Sequence, residues 1–330
     1  MIILCFYFYY TNLLLEKVIL EKFGLQRLSL NPMQTTILAF DTSGLNALHR
    51  GGPDVAPMLA GLNTGYAIRL NGTALDEIVA HSLPQERERL RELCRKLLAN
   101  GAGDVVLPFH EITTRLAVAF ESGRPFDWTC VDVRSNEYMR FIFDDDVSAL
   151  FAEDADYETV SLEQRISATE TAGQFEQVFL APRPIFQKLR ETEKESWPKS
   201  AAELAQALQK PGGAYWNYAI GLYHRATGIM VDEKKIRRFV RECPPFRALL
   251  AAIVVAQYER SISEEVKPKL AGRNDIFMAG YLPYCDEFIS NDHAQQTALR
   301  QIVAIAQLQT SVRWYKEFSG RFSLSSAAKR

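Results

Sequence analysis

Apolar residues recur along this chain in two patterns. Short β-prone runs bounded by polar or glycine-rich sequence predict buried strands at 35–40, 66–70, 104–107, 287–290 and 312–318. Apolar positions three or four residues apart predict helices between them, as at 86–99, where the leucines share one face. Because strands alternate with helices at both ends of the chain, we predict an α/β fold built on one parallel sheet.

The middle of the chain shows helical periods almost throughout. They cover 163–194, 201–209, 215–226, 233–242 and 246–261, and few strand patterns interrupt them. No fixed repeat length is visible, so a solenoid of repeats is not indicated. We therefore predict a large helical insertion at 120–270, which divides the α/β domain into a first part at 33–119 and a second part at 271–330.

Residues 1–32 form an apolar N-terminal extension of different character. Residues 1–15 are almost wholly apolar and aromatic, no lysine or arginine precedes them, and no small-residue cleavage site follows. Such a run is too short to cross a bilayer comfortably. One interpretation is that translation begins at Met33 and that the extension is not part of the native domain; a membrane anchor is the less favoured alternative. We expect a cytoplasmic protein without stable membrane association.

The charge balance and the cysteines exclude several function classes. The formal net charge is −2, so no overall basic field attracts nucleic acid, and binding must rely on a local patch. The segment 234–241 is the best candidate, with Arg237 and Arg238 as phosphate-binding residues, although a plain solvated face is the simpler interpretation. The five cysteines include no C-x-x-C pair, which excludes a zinc ribbon and a dithiol redox motif and suits a reducing compartment.

Four acidic residues occupy matching places in the predicted elements. Asp41 and Asp292 directly follow predicted strands, whereas Glu77 and Asp275 lie in the first turns of predicted helices. In an open parallel sheet, ligands bind at the carboxyl ends of the strands. We therefore predict that the four carboxylates converge at that edge. For any one of them alone, a helix cap or a solvated charge is the simpler interpretation.

Carboxylates crowded in this way repel one another and need a cation. Mg²⁺ and Mn²⁺ prefer oxygen ligands, and Mg²⁺ keeps several waters, one of which can attack a phosphodiester. Ser43 and Asn291 flank the acids and are candidates to position water or phosphate. The sequence thus predicts a Mg²⁺ or Mn²⁺ centre that acts on nucleic acid.

Three segments resemble the motifs of the PIN-domain nucleases. They are FDTSGLNAL at 40–48, TALDEIVA at 73–80 and NDIFMAGYLPYCDEFISND at 274–292, and the resemblance extends over about 35–110 and 270–320. It implies a PIN-like parallel sheet sandwiched by helices, with Asp41, Glu77, Asp275 and Asp292 as metal ligands and catalytic residues. It also implies a hydrolase, most often an endoribonuclease acting on RNA, although some family members cut DNA and others have lost catalysis.

The chain departs from the family in one respect, and several alternatives stay open. Glu77 and Asp275 are much further apart in sequence than in compact PIN domains, and Asp76 is an alternative to Glu77. A catalytically inactive PIN-like module that binds RNA or a protein partner is the main alternative function. A haloacid-dehalogenase-type phosphatase needs a second aspartate two positions after the first, where Ser43 stands. An antitoxin-controlled toxin is disfavoured because such toxins are usually short single domains.

Overall fold

The computed structural model describes residues 36–51, 55–62, 65–100, 104–106, 109–124, 142, 157–265 and 269–327. The N-terminal extension at 1–32 lies outside the described residues, and both interpretations of it stay predictions. Five strands form one sheet in the order β3-β2-β1-β4-β5, and all neighbours are parallel. The strands are β1 (Thr36–Phe40), β2 (Tyr66–Asn71), β3 (Asp104–Val106), β4 (Glu287–Ser290) and β5 (Ser311–Trp314).

Strand β1 lies at the centre of the sheet, and its apolar run is buried on both faces. Leu38, Ala39 and Phe40 are all buried, and Phe40 pairs with Ile289 of β4. Such a continuous apolar run is typical of parallel strands covered on both sides. The chain proceeds outward from β1 through β2 to β3 and then resumes on the other side of β1 with β4. The order therefore reverses between β1 and β4, where a parallel sheet opens a crevice for ligands.

The C-terminal strand is shorter than the sequence pattern predicts. We expected a strand over 312–318, but β5 ends at Trp314 and a helix begins at Tyr315. From there the apolar residues follow a helical spacing, because Phe318 is buried and packs edge-on against both Phe40 and Phe322. The strand prediction over 312–318 was wrong because it joined the strand and the first turn of this helix into one element.

Helices follow each strand of the first half. They are α1 (Thr42–Arg50), α2 (Val55–Leu62), α3 (Gly72–Val79), α4 (Pro84–Asn100) and α5 (Phe109–Glu121). The capping residue of α3 is Asn71, whose side-chain oxygen accepts a hydrogen bond from the Ala74 N–H at 2.8 Å. Asparagine is among the best N-cap residues, so the helix starts directly where β2 ends.

Helices account for all regular structure described between 157 and 265. One predicted helix at 163–194 is in fact two, separated near Pro182 and Pro184, because proline lacks an N–H donor and disfavours helix before it. The helices are α6 (Tyr157–Leu180), α7 (Arg183–Thr192), α8 (Ala201–Leu208), α9 (Ala214–Thr227), α10 (Glu233–Glu242) and α11 (Pro244–Gln257), followed by a π-helical turn at Tyr258–Ile262.

The helical region and the sheet share one apolar core. Helix α11 is buried along almost its whole length and packs against the two elements that flank β4 in sequence. These are the 3₁₀-helix Met278–Tyr284, which follows α12 (Arg273–Phe277), and α13 (His293–Ala306); the last helix is α14 (Tyr315–Ala327). No helix in the described part of the chain is long and apolar enough to cross a membrane.

Candidate active site

Two of the predicted acids follow the two central strands. Asp41 comes directly after β1 and caps α1, and Asp292 lies just beyond β4 and caps α13. Because β1 and β4 are hydrogen-bonded neighbours, both residues lie at the carboxyl edge, beside the point where the strand order reverses. A fifth acid, Asp286, lies at the entrance of β4 and accepts a hydrogen bond from the Ile37 N–H at 2.7 Å, as a structural cap there.

Asp41 is a buried carboxylate held only by neutral donors. Its Oδ1 accepts from the Gly44 N–H at 2.6 Å, and its Oδ2 accepts from the hydroxyls of Ser43 and Ser290 at 2.8 and 2.9 Å. Burial raises its pKa to about 7 against the effect of these hydrogen bonds, and repulsion by Asp275 adds to the rise. The Asp41 carboxyl group therefore keeps its proton through the acid range and loses it around pH 7.

Glu77 connects two other segments of the site. Its carboxylate accepts a short hydrogen bond from the Thr42 hydroxyl and one from the Asn274 amide at 3.2 Å. Burial raises the pKa of Glu77, these two hydrogen bonds lower it, and repulsion by Asp275 raises it further. The structure thus brings Glu77, for which Asp76 was the alternative, to the start of α1 and to α12.

Asp275 is the common neighbour of the other three acids. Its Oδ2 accepts a hydrogen bond from the Gly272 N–H at 2.8 Å. Burial raises its pKa, this hydrogen bond lowers it, repulsion by Asp292 raises it, and Lys269 and Arg260 lower it. Since Asp275 also repels Asp41 and Glu77, its carboxylate interacts with all three of the others. The four predicted acids therefore come together at one place, called the acidic cluster below.

Asp292 differs from the other members of the acidic cluster because it already has a cationic partner. Its Oδ1 accepts from the N–H groups of Ala294 and Gln295 at 2.7 and 3.1 Å, and its Oδ2 forms a short ion pair with the exposed Lys269. Burial favours a higher pKa, but the ammonium group and the two N–H donors outweigh it and lower the pKa of Asp292. This carboxyl group therefore has a lowered pKa, whereas the pKa values of its three neighbours are raised.

Ser290, which the sequence reasoning did not single out, joins the two strand-end acids. Its buried hydroxyl lies 2.9 Å from Asp41 Oδ2 and 2.8 Å from Gln295 Oε1, and it accepts from the Asp292 N–H at 3.1 Å. The single Ser290 hydroxyl proton can be donated to Asp41 or to Gln295, but not to both. Both contacts are hydrogen bonds only if Asp41 is protonated and donates to the Ser290 oxygen. A polar residue at the end of an otherwise buried strand was the available signal.

The remaining candidate residues fall into two groups. Ser43 lies in the site, where its hydroxyl donates to Asp41 and accepts from the Asn291 N–H at 2.8 Å; the residue Asn291 is exposed. Arg237 and Arg238 lie on α10 and pair within that helix with Glu233 at 2.6 Å and with Glu242 at 2.9 Å. Within the described residues, no hydrogen bond or ion pair joins either arginine to the acidic cluster.

The metal ligands that the acidic cluster could offer are carboxylate oxygens. Mg²⁺ and Mn²⁺ prefer such oxygen ligands, whereas the zinc of a zinc ribbon is bound by cysteine thiolates. Among the residues that the structure describes, no group of three or more His, Cys, Asp or Glu side chains is arranged to bind one metal ion. Each carboxylate of the acidic cluster instead accepts hydrogen bonds from protein donors.

Comparison with known proteins adds no family assignment. No protein-family model matches the chain, and no curated protein or solved structure is significantly similar to it.

Proposed function

We propose that this protein is a metal-dependent nuclease of the PIN type, and most concretely an endoribonuclease that hydrolyses phosphodiester bonds of RNA. The observation that supports this function is the acidic cluster itself. One buried carboxylate, Asp41, and two half-buried ones, Glu77 and Asp275, all with raised pKa values, meet beside a fourth at the edge of a parallel sheet where ligands bind. Like charges gathered in this way destabilise a fold, and a bound cation removes that cost.

The residues present suit a divalent cation. Mg²⁺ is usually bound through one or two carboxylates together with waters and substrate phosphates, so it does not need a closed set of protein ligands. Asp41, Glu77, Asp275 and Asp292 would hold it. The bound ion would supply a water of lowered pKa and stabilise negative charge on the phosphate.

Residues of the chain itself would position these acids. The Ser43 and Ser290 hydroxyls fix the orientation of Asp41, and Thr42 with Asn274 does the same for Glu77. Lys269, paired with Asp292, provides a positive charge at the exposed side of the acidic cluster. An ammonium group there attracts a phosphate to a site whose carboxylates would otherwise repel it.

The test is cleavage of a labelled single-stranded RNA by the purified full chain. Wild type should cut with Mg²⁺ or Mn²⁺ and lose activity in chelator. Asp41→Asn keeps the shape but removes a charge, and cleavage should fall by about two orders of magnitude or more. The matched control is Glu191→Gln, an exposed acid on α7, which should cut like wild type.

A second readout does not depend on turnover. Mg²⁺ should raise the melting temperature of wild type, since a ligand that binds only the folded state stabilises it, and should raise that of Asp41→Asn much less. Unchanged cleavage by Asp41→Asn would contradict its catalytic role. If wild type cuts neither RNA nor DNA with any divalent ion, yet binds RNA, the inactive binding module becomes the correct interpretation.

A further inference from the structure

Beside the acidic cluster lies a stacked aromatic pair that the proposed reaction does not use. The rings of His293 and Trp314 are nearly parallel, with centroids 3.9 Å apart and planes inclined by 16°. His293 is exposed and Trp314 is half-buried. Because the indole covers one face of the imidazole, the exposed surface of His293 lies on its other face and its edges.

The position of this pair is fixed by the sheet. Trp314 is the last residue of β5 and stands opposite Ser290 in the β4–β5 register. Neighbouring strands are about 4.8 Å apart, so the indole belongs to the strand directly beside the one that ends in the cluster. His293 follows Asp292 in the chain and is the first residue of α13. Trp314 is thus the strand neighbour of Ser290, which hydrogen-bonds to Asp41, and His293 is the chain neighbour of Asp292.

The aromatic contacts elsewhere in the molecule make this pair distinctive. Phe40 with Phe318, and Tyr223 with Phe239, meet edge-on inside the core, which is the usual packing of buried rings. The His293–Trp314 pair is parallel, includes an exposed ring, and lies at the carboxyl edge of the sheet. A flat ring held rigidly at the surface is what a nucleobase needs as a stacking partner.

We propose that His293, backed by Trp314, is a stacking platform for one base of a single-stranded nucleic acid whose backbone passes the acidic cluster. This inference rests on the proposed function for its ligand class. Every base has a π-face, so the platform tolerates any base but needs an unpaired one. It therefore selects single strands over duplexes and sets which phosphate lies at the acidic cluster.

The experiment measures binding, so that it does not depend on cleavage. Fluorescence anisotropy of a labelled oligoadenylate, in chelator, is compared for wild type, His293→Ala and His293→Tyr. His293→Ala should weaken binding by roughly tenfold, the usual loss for one stacked base. His293→Tyr should bind within about twofold of wild type, because it keeps a flat ring. Thr297→Ala, an exposed residue on the same helix, is the matched control.

A second series removes the base instead of the side chain. Oligonucleotides that carry one abasic residue at successive positions are bound to wild type and to His293→Ala. At one position the abasic residue should weaken binding to wild type by roughly tenfold. It should not weaken binding to His293→Ala further, because that variant already lacks the stacking contact. Equal effects on both proteins at every position, or unchanged binding by His293→Ala, would overturn the platform. If wild type binds as expected but never cleaves, the platform stands and the nuclease function fails.

Discussion

Two regions of this molecule that contain buried charge differ in how that charge is compensated. In the helical region the fully buried guanidinium of Arg260 is matched by Glu176, whose carboxylate lies 2.5–2.9 Å from it, and Arg260 also donates to the Ala271 carbonyl. At the sheet edge, Asp41, Glu77 and Asp275 face one another and are held largely by neutral donors.

The buried charge of Arg260 is neutralised within the protein, whereas the carboxylates of the acidic cluster still lack sufficient positive charge around them. A buried ion pair is tolerated because each charge compensates the other. At the acidic cluster, burial raises the pKa values and repulsion between the carboxylates adds to the rise, so ionising them weakens the fold. Only the second arrangement gains from an added cation. The acidic cluster is therefore the candidate site, whereas the Arg260–Glu176 pair joins a fully buried guanidinium to a carboxylate that is 40% exposed.

The largest stability effect should come from breaking the compensated pair. Glu176→Ala leaves the Arg260 guanidinium buried without its carboxylate, which should reduce the free energy of unfolding by about 3 kcal/mol. Urea denaturation measures this loss. Glu170→Ala, an exposed acid on the same helix, is the control and should change stability little. A loss no larger than that of the control would mean that the pair is not a structural ion pair.

The uncompensated cluster should respond in the opposite direction. At pH 8, without divalent ions, Asp41→Asn should raise the free energy of unfolding by about 2 kcal/mol, less than the full value of the pKa shift because asparagine offers fewer acceptors. The folded pKa of Asp41 is raised from 3.8 to about 7. Unfolded chains therefore ionise first as pH rises, and wild type loses stability between about pH 4 and pH 7 relative to the variant.

Urea unfolding at pH 4 and pH 8 checks both parts of this prediction. The difference between variant and wild type should be small at pH 4 and should appear at pH 8. A variant that is less stable than wild type at pH 8 would show that Asp41 is a structural acid. The same substitution at Asp292 should bring no gain, since Lys269 and two N–H groups already hold that carboxylate ionised.

The smallest effect is expected on α10. The pair Arg238–Glu242 is exposed and spaced by one helical turn, so Arg238→Ala should cost about 0.5 kcal/mol. Charge reversal by Arg238→Glu should leave the affinity for single-stranded RNA within about twofold, because the arginine is already paired on its own helix. A large loss of affinity with a weaker salt dependence would instead make this face a phosphate-binding surface.

Much of the sheet, and the meeting of the four acids at one place, could be predicted from the sequence. Short apolar runs that end in an acid specify both a buried strand and the edge at which the acid lies, as at Asp41 and Asp292. The distant partners could not be predicted in this way. Lys269 meets Asp292 across 23 residues, and Ser290 meets Asp41 across 249, so only the folded chain brings them together.

Packing also decided points that local pattern left open. The basic run on α10 carries the charge of a phosphate-binding surface, but its glutamates at one-turn spacing neutralise two of the cations. The C-terminal run after Trp314 has strand-like composition, yet Phe318 packs on Phe40 in a helix. The strand prediction beyond Trp314 was therefore wrong, whereas the phosphate-binding interpretation of α10 stays a prediction.

The long separation between β1 and β4 has a consequence for synthesis of the protein. Asp41 and its partner Ser290 are 249 residues apart, so the acidic cluster does not exist until nearly the whole chain has been made. At the usual rate of about 5–20 residues per second, the ribosome adds the intervening residues in roughly 10–50 s. During that time Asp41 is present without Ser290 and Asp292, so the proposed site is incomplete. Chains that stop before β4 would lack the second half of the acidic cluster in the same way.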